Sequence, residues 1–369
     1  MSTVSERILF IAEVEAWGGA ERSFLTLCDW LHRHALPYRL VVYWDRIGLE
    51  QFASHPLNKV ELLPKDNPLS KVRALRKFFA LQPGNPYQPL MSGYQPALHA
   101  SLAGLRGFHC MMHDTESLFD DWDKQRGWKR RARLALNGHL LRKGLGSGGQ
   151  TIVASEFLRQ DTERLYGATA TVLRIGSAAD GIAFRRRPVE RQLRMLSVSR
   201  LEANKRIDWI LRALSTLEKQ NPALSEQIDW RLDIVGKGAE REGLQILSRD
   251  LGLESRVTFS GFVSDEELAI LYDQAHLFLM PARQGYGIPA LEALHSGIPV
   301  LLHRESGISD ILLDTPWARV FEGCSEDLIP ALEQTIHSLI AGNHLYTAPP
   351  NLPRQDAWAE EMARLCRWI

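Results

Sequence analysis

Two cationic side chains follow an apolar segment in the second half of the chain. Arg200 comes directly after the predicted strand Leu193–Ser199, and Lys205 precedes the predicted helix Arg206–Lys219. Cations at the carboxyl end of a strand, beside a helix N-terminus, can hold a diphosphate and stabilise a leaving group as its negative charge grows. The spacing alone is more typical of a solvated basic loop.

A glycine-rich loop and an apolar helix form a second candidate, Pro281–Leu294, with the sequence PARQGYGIPALEAL. Its loop glycines would let the backbone approach a ligand closely. Glu292 lies within the predicted helix Ala290–Ser296, among apolar neighbours that indicate burial. A buried carboxylate needs a hydrogen-bonding partner, which two ribose hydroxyls or a backbone amide could supply.

In the first half, Gly18 and Gly19 stand between the predicted strand Ile8–Ala12 and the predicted helix Ala20–His34. A helix N-terminus has free N–H groups and a positive dipole end that suit a phosphate or a sugar hydroxyl. A simple tight turn is the alternative. The later run Gly144–Gly149 matches G-x-G-x-x-G but follows a helix and precedes a strand, the reverse of a dinucleotide site.

These segments belong to an alternation of strands and helices that predicts an α/β protein with parallel, doubly wound sheets. The first half begins with a strand, a glycine loop, a helix and a second strand. A charged segment at residues 184–192 (FRRRPVERQ) then predicts a linker between two domains. The alternation then starts again. We predict one domain over residues 1–184, a second over 185–350, and a final helix in 351–369 that returns to the first domain.

Composition excludes several protein classes. The 369 residues include 44 Lys+Arg and 44 Asp+Glu, giving a formal net charge of zero, which disfavours a general polyanion binder, and no aromatic RNA-binding signature is evident. The 45% of hydrophobic residues excludes a disordered chain. Four widely separated cysteines indicate reduced thiols, and the short N-terminal apolar stretch argues against a signal peptide. We therefore expect a cytoplasmic protein without a membrane span.

Together the motifs resemble the retaining glycosyltransferases of family 4, many of which act in bacterial polysaccharide and lipopolysaccharide synthesis. The resemblance runs from near residue 8 to about residue 323. It rests on these segments: IAEVEAWGGAER, ATATVLRIGSAADGIAF, LSVSRLEANKRID, LDIVGKGAER, VTFSGFVSDEELAILYDQAHLFLMPARQGYGIPALEALHSGIPVL and SGISDIL. It implies a GT-B fold, in which two Rossmann-like domains face each other across a cleft that contains the site.

The resemblance also implies roles for individual residues. Arg200 and Lys205 would hold the donor diphosphate, and Glu292 would bind the nucleotide ribose. The remaining donor-binding residues would be Gly18, Gly19, Gly285, Tyr286, Gly287 and Leu291.

His113 would lie next to the transferred sugar, as a catalytic residue. The alternative is an ordinary loop histidine. A zinc site with His109 lacks an evident third ligand.

Two positions depart from the family pattern. The first Glu of the usual E-x7-E is Gln284, which keeps the length and a carbonyl acceptor but loses the charge. The usual G-G-x-P-E is Ser306-Gly307-Ile308-Ser309-Asp310. We interpret Gln284 as a catalytic-site residue whose contact with the sugar is weaker or suits a different sugar.

The predicted reaction moves a sugar from a nucleoside diphosphate sugar to an acceptor hydroxyl, such as that of a lipid-linked or polysaccharide glycan, with retention at the anomeric carbon. By resemblance, the leaving phosphate oxygen accepts the acceptor's proton. We expect no metal and no bound cofactor. The alternatives are a catalytically silent sugar-nucleotide or glycan binding protein, favoured by Gln284, and an epimerase-like or phosphorylase-like GT-B protein.

The segment Lys124–Lys143 has many cations, no acid and interleaved apolar residues. It predicts either a basic amphipathic helix lying on an anionic membrane or a helix with a basic solvent face. The first interpretation places the protein peripherally on the inner face of the cell membrane. The cations are Lys124, Arg126, Lys129, Arg130, Arg131, Arg133, Arg142 and Lys143.

Overall fold

The computed structural model describes residues 5–118, 127–146, 148–177, 184–312 and 315–369, which form two compact units. The first unit holds the described residues up to Ser117 and from Gly127 to Gly176, together with Pro353–Ile369. The second unit holds the described residues of Ser177–Leu352.

The first unit is built on a parallel sheet with helices between its strands. The strands are β1 (Arg7–Phe10), β2 (Glu13–Val14), β3 (Tyr38–Val42), β4 (Trp44–Asp45), β5 (Lys59–Glu61), β6 (Leu90–Ser92), β7 (His109–Met112), β8 (Thr151–Val153) and β9 (Ala170–Val172). The sheet has the order β5-β3-β1-β6-β7-β8-β9, and β2 pairs separately with β4. The helices are α1 (Gly19–Arg33), α2 (Pro68–Ala80), α3 (Tyr94–Ala103), α4 (Trp128–Leu145) and α5 (Glu156–Tyr166).

The second unit repeats this architecture with a six-stranded parallel sheet. Its strands are β10 (Gln192–Val198), β11 (Asp229–Val235), β12 (Val257–Gly261), β13 (Leu277–Met280), β14 (Val300–His303) and β15 (Ala318–Phe321), in the order β12-β11-β10-β13-β14-β15. Its helices are α6 (Ile207–Gln220), α7 (Pro222–Gln227), α8 (Arg241–Asp250), α9 (Asp265–Gln274), α10 (Ile288–His295) and α11 (Leu328–Ile340). The last helix, α12 (Gln355–Leu365), belongs to the first unit.

Local signals in the sequence account for many of these boundaries. Asn67 caps α2 by accepting the N–H of Ser70, with Pro68 in the first turn. Ser264 and Glu267 form a reciprocal capping box at the start of α9. The central strands β1, β7, β13 and β14 are buried at every position, as strands covered by helices on both faces should be.

The parallel, doubly wound fold class predicted from the sequence is confirmed. The sequence missed β6, β9 and β15, which have only three or four residues each. It also missed β2, because the predicted strand Ile8–Ala12 ends before Glu13, and it did not separate β4 from β3. Such short strands receive their stability from parallel neighbours rather than from local periodicity, so the sequence signal for them is weak.

The segment predicted as a linker, residues 184–192, packs on the second unit. Arg187 donates hydrogen bonds to the backbone oxygens of Asp273 and Ser296 at 2.7 and 2.8 Å. Val189 is buried in the core of that unit. The structure thus places the first change of unit between Gly176 and Ser177, before the predicted position at 184/185.

Helix α4 divides the apolar residues that are interleaved in the predicted basic helix. Leu134 and Leu141 are buried inside the first unit. The apolar side chains that face outward are Trp128, 76% exposed, and Leu136, 58% exposed. The helix packs through its Leu134 face because α3 and α5 lie against it. Lys124 and Arg126 lie outside the described residues.

The packing of α12 against α1 leads to a prediction about stability. Met362 is fully buried on α12, whereas its neighbour Glu361 is exposed. Met362→Ala leaves a cavity and should lower the free energy of unfolding by about 2–5 kcal/mol. Denaturant titration of the full chain measures this loss. Glu361→Ala is the matched control and should change stability by less than about 0.5 kcal/mol; equal stability of both variants would contradict the assigned packing.

Candidate functional site

The predicted cations and the glycine-rich loop meet at one place in the second sheet. After β10 the chain crosses to β11 and β12 on one side, and β13 then pairs with β10 on the other side. The loops after β10 and β13 therefore leave neighbouring strand ends in opposite directions. Such a topological switch point, at the carboxyl edge of a parallel sheet, opens a crevice in which ligands bind.

Reciprocal hydrogen bonds tie these two loops together. The Asn204 side chain donates to the backbone oxygen of Arg283 at 3.1 Å, and the Arg283 N–H donates to the backbone oxygen of Asn204 at 2.9 Å. Arg206 adopts a left-handed conformation with φ 54°, and its guanidinium reaches Glu305 at 2.5 Å. The turn after β10 is thus held against the loops that follow β13 and β14.

Lys205 and Gln284, both predicted site residues, are in direct contact. The Lys205 ammonium donates to Gln284 Oε1 at 2.8 Å. The other end of the amide is held as well, because Nε2 donates to Ser306 Oγ at 3.3 Å and lies 2.9 Å from Met280 Sδ. Gln284 is buried and bridges Ser306 through its backbone.

Arg200 is placed at the same strand end but extends into solvent. Its guanidinium pairs with Glu202 at 2.7 Å, and its side chain is 60% exposed. An exposed ion pair of this kind contributes little to stability. The guanidinium can therefore exchange Glu202 for a more strongly charged ligand at small cost.

The loop Gly285–Gly287 is fixed to the segment after β14. The Tyr286 backbone oxygen accepts hydrogen bonds from the Ile308 N–H and from Ser306 Oγ, each at 3.1 Å. Gly287 precedes α10 with φ 133°. A Cβ at Gly287 would lie 2.7 Å from Met280 Cε and 2.9 Å from Gln284 Nε2. Only glycine fits this conformation and this space.

Leu291 and Glu292 lie on α10 and are both buried. Glu292 Oε2 accepts a hydrogen bond from the Tyr272 hydroxyl at 3.2 Å, which connects α10 to α9. A carboxylate can accept several hydrogen bonds at once.

In the first unit, Gly18 and Gly19 form the N-terminus of α1. Gly18 is the N-cap residue, has an extended backbone and has no side chain to cap the helix. Gly19 is exposed. The position combines a helix N-terminus with the carboxyl edge of the sheet and therefore suits an anion or a hydroxyl.

His113 follows β7 and is held on both sides. Its Nε2 lies 3.2 Å from Ser92 Oγ, and its ring centroid lies 6.0 Å from that of Phe24. Burial lowers the pKa of His113 to about 4. The imidazole is therefore neutral near pH 7 and can exchange hydrogen bonds with a hydroxyl without adding charge.

The comparisons with known proteins show what the second unit is similar to. Residues 181–344 match the family model of glycosyl transferases group 1. A GDP-mannose-dependent alpha-(1-6)-phosphatidylinositol monomannoside mannosyltransferase from Mycolicibacterium smegmatis is 34% identical over 143 residues, which cover 37% of this chain and 36% of that enzyme. Across eight curated relatives, the matched stretch spans 20–55% of the relative's length.

Solved structures resemble the whole chain. Anabaena HepE in complex with UDP superposes with a TM-score of 0.71 at 17% identity, covering 98% of this chain and all of HepE. WaaG, a glycosyltransferase involved in lipopolysaccharide biosynthesis, gives 0.66 at 17% identity and covers 98% of this chain and 95% of WaaG. These neighbours are GT-B glycosyltransferases, so the predicted GT-B fold class is confirmed.

Several contacts within the group 1 segment were not found from the sequence. Asn204 joins the two loops, and Ser306 holds the amide of Gln284. Ser306 was visible as a departure from the family pattern, but its contact joins residues of two different loops. In the first unit, Ser92 was missed together with β6. No group of three or more His, Cys, Asp or Glu among the described residues is arranged to hold a metal ion.

The geometry at Gly287 leads to a prediction about stability. Gly287→Ala forces a positive φ on a residue with a Cβ and displaces the Gln284 side chain, which should cost about 1–3 kcal/mol. Gly243→Ala is the control, because Gly243 lies in α8 and has no atom within 4 Å of its Cβ position. The control should be as stable as the parent or slightly more stable. Thermal denaturation compares the stability of the two variants. A Gly287→Ala variant as stable as the parent would contradict the close packing at this loop.

Proposed function

We propose that this chain is a retaining glycosyltransferase of family 4. It transfers a sugar from a nucleoside diphosphate sugar to an acceptor hydroxyl. One observation carries the proposal: within the segment that matches glycosyl transferases group 1, Lys205 and the loop of Gln284–Gly287 are in contact at the switch point of a parallel sheet. The carboxyl edge at such a point is where ligands bind in this class of sheet.

The donor diphosphate binds to Lys205 and Arg200. Lys205 is already oriented by Gln284, and Arg200 leaves its exposed pair with Glu202 to reach the phosphates. Backbone amides of Gly285–Gly287 add neutral donors. As the bond between sugar and phosphate breaks, charge grows on the diphosphate, and these groups stabilise it more strongly than they stabilise the intact donor.

The nucleoside is held by α10. Glu292 accepts the ribose hydroxyls while Tyr272 keeps its carboxylate oriented, and Leu291 provides apolar surface. Hydrogen bonds from hydroxyls to a charged acceptor contribute about 1.5–3 kcal/mol. In the first unit, the exposed N-terminus of α1 at Gly19 offers amides to a phosphate or hydroxyl.

Transfer proceeds on one face of the sugar. The bond between the anomeric carbon and the diphosphate oxygen breaks, and its electron pair leaves with the diphosphate. The acceptor oxygen forms the new bond to the same face, and its proton passes to the departing phosphate oxygen. His113 is neutral near pH 7, and its ring hydrogen-bonds a hydroxyl of the transferred sugar. The chain supplies positioning and charge stabilisation rather than a nucleophile.

The relatives suggest two donors and a type of acceptor. The mycobacterial enzyme is described as GDP-mannose-dependent and acts on a phosphatidylinositol mannoside, whereas HepE was solved with UDP. WaaG is described as acting in lipopolysaccharide biosynthesis. We therefore assign a nucleoside diphosphate hexose as donor and a lipid-linked or polysaccharide glycan as acceptor.

The first test measures transfer directly. The protein is incubated with UDP- and GDP-hexoses, with and without lipid-linked glycan acceptors, and nucleoside diphosphate release is followed. We expect acceptor-dependent release and a product with unchanged anomeric configuration. Arg200→Ala and Lys205→Ala should each lower kcat/KM by at least about 100-fold, since each removes a charged donor to the leaving group.

Arg212→Ala, an exposed cation on α6, is the matched control and should retain the parent rate. Binding without turnover would support a silent binding protein, the alternative that the neutral Gln284 favours. Sugar conversion independent of an acceptor would support an epimerase. Parent rates in both site variants would contradict the diphosphate assignment.

We also propose that the outward face of α4 binds an anionic membrane surface, which places the protein peripherally on the inner face of the cell membrane. Trp128 and Leu136 are exposed on this face, with exposed Lys129, Arg131 and Lys143 around them. Lys129 and Arg131 flank the apolar side chains, a pattern typical of helices that lie at an interface. Each cation near an anionic surface contributes about 1 kcal/mol. No described helix is long and apolar enough to cross a membrane.

Vesicle sedimentation tests this surface. The parent should pellet with vesicles containing anionic phospholipid and remain in solution with zwitterionic vesicles. A triple variant, Lys129→Glu, Arg131→Glu and Lys143→Glu, should lose at least about tenfold in partitioning, because the reversed charges repel the lipid. The control reverses three exposed cations of the second unit, Arg212, Lys219 and Arg249, and should pellet like the parent. Equal pelleting of both triple variants would contradict the assignment.

A further inference from the structure

The two departures from the family pattern, Gln284 and Ser306, are in contact with each other. The Gln284 amide donates through Nε2 to Ser306 Oγ at 3.3 Å. Their backbones also bridge, because the Gln284 N–H donates to the oxygen of Glu305 and the Gly307 N–H donates to the oxygen of Gln284. Two substitutions that are 22 residues apart in the sequence thus form one local structure.

The direction of each hydrogen bond shows why an amide suits this place. Ser306 Oγ donates its only proton to the Tyr286 backbone oxygen at 3.1 Å, so it presents a lone pair to residue 284. The amide N–H of Gln284 matches that lone pair. A carboxylate would instead place one oxygen, which has lone pairs and no proton, against the Ser306 Oγ lone pair inside a buried contact, which is unfavourable while Ser306 donates to Tyr286.

The opposite end of the amide faces Lys205. With Nε2 committed to Ser306, the carbonyl Oε1 is directed at the ammonium and accepts its hydrogen bond at 2.8 Å. Lys205 is therefore positioned by a neutral group. A carboxylate here would position it equally well but would add a negative charge where the proposed diphosphate binds.

We propose that the Gln284–Ser306 pair is a specificity device of the donor site, which orients Lys205 without adding negative charge and so makes affinity rise steeply with the phosphate charge of the ligand. The inference rests on the proposed function, because it takes Lys205 as a diphosphate ligand. The repulsion between an added carboxylate and a phosphate ligand grows with the negative charge of the ligand, so it is larger for a diphosphate than for a monophosphate.

The remaining charged groups around the pair are accounted for within the described part of the chain. Glu305 pairs with Arg206 at 2.5 Å and with Arg283 at 3.5 Å. His303 on β14 accepts the Glu305 N–H, and burial lowers its pKa. These groups are unchanged in every variant used below, so differences between variants report on residue 284.

The experiment measures dissociation constants by calorimetry for two ligand series, uridine, UMP and UDP, and guanosine, GMP and GDP. In Gln284→Glu we expect unchanged affinity for the nucleosides and a loss of about tenfold, 1.4 kcal/mol, for the diphosphate that the parent binds. The monophosphate should lie between them. A merely structural role for Gln284 would weaken all three ligands equally, and that result would overturn the inference.

The matched control is Gln334→Glu. Gln334 is exposed on α11 and accepts a hydrogen bond from Arg319 at 2.9 Å, so the substitution adds the same charge beside a cation elsewhere in the unit. It should leave the whole ligand series unchanged. A loss of diphosphate affinity equal to that of Gln284→Glu would show a general charge effect and overturn the inference.

Further variants separate the effect of residue 284 on protein stability from its effect on the charge of the donor site. Gln284→Glu combined with Ser306→Gly removes the opposing lone pair and should restore thermal stability without restoring diphosphate affinity. Gln284→Met adds no charge but cannot orient Lys205, so it should lose diphosphate affinity by a smaller factor. Parent affinity in Gln284→Met would overturn the positioning role, even where Gln284→Glu fails to fold.

Lys205→Met distinguishes a failure of this inference from a failure of the proposed function on which it rests. Loss of diphosphate affinity in Lys205→Met, with parent behaviour in Gln284→Glu, would overturn only the inference. Parent affinity in both Lys205→Met and Arg200→Met would contradict the diphosphate site itself.

Discussion

The candidate site depends on the divergence of two loops from adjacent parallel strands. β13 pairs with β10 only after the chain has crossed to β11 and β12, so the loops after β10 and β13 share one edge of the sheet. The reciprocal bonds between Asn204 and Arg283 then fix the distance between the loops, and Lys205 meets Gln284 as a result. The chemistry follows from this constraint, because charge-assisted binding requires the cation to be oriented before the ligand arrives.

The first unit applies the same topology. Its strand order changes side between β1 and β6; Gly18 and Gly19 lie at the start of α1, and Ser92 is the last residue of β6. Ser92 contacts His113 through one hydrogen bond, while burial keeps the imidazole neutral near pH 7. The contrast with the second unit is electrostatic: charged groups surround the proposed phosphate site, whereas a neutral ring stands at the proposed sugar-contacting position.

The sequence was sufficient for the architecture and for the longer elements. The predicted spans Ala20–His34, Leu193–Ser199 and Arg206–Lys219 lie within one residue of α1, β10 and α6, because their periodicity is local. The short strands β6, β9 and β15 were missed because their stability comes from neighbours. The buried face of α4 could not be assigned from the sequence, since a helix rich in both leucine and arginine has no single apolar side until its contacts are known.

The individual candidate site residues were predicted from spacing and resemblance, but the contacts between them were not. Gln284 was interpreted as a weakened sugar contact, which treats it as an isolated change. The structure shows both ends of its amide occupied, by Lys205 and by Ser306. No sequence signal predicted this, because the three residues come from three separate loops and the hydrogen-bond directions exist only in the folded chain.

That arrangement bears on whether the neutral residue marks a loss of catalysis. An amide at this buried position brings N–H donors that need acceptors, and a buried donor left without one costs about 1–3 kcal/mol. Met280 Sδ and Ser306 Oγ supply the acceptors, and Ser306, itself a departure from the usual glycine, directs its own proton to Tyr286. The substituted pair therefore preserves the orientation of Lys205, which is the property that stabilisation of a leaving diphosphate requires. An amide at position 284 is consequently better explained by a retained donor site of altered charge than by decay of the enzyme into a passive binding protein.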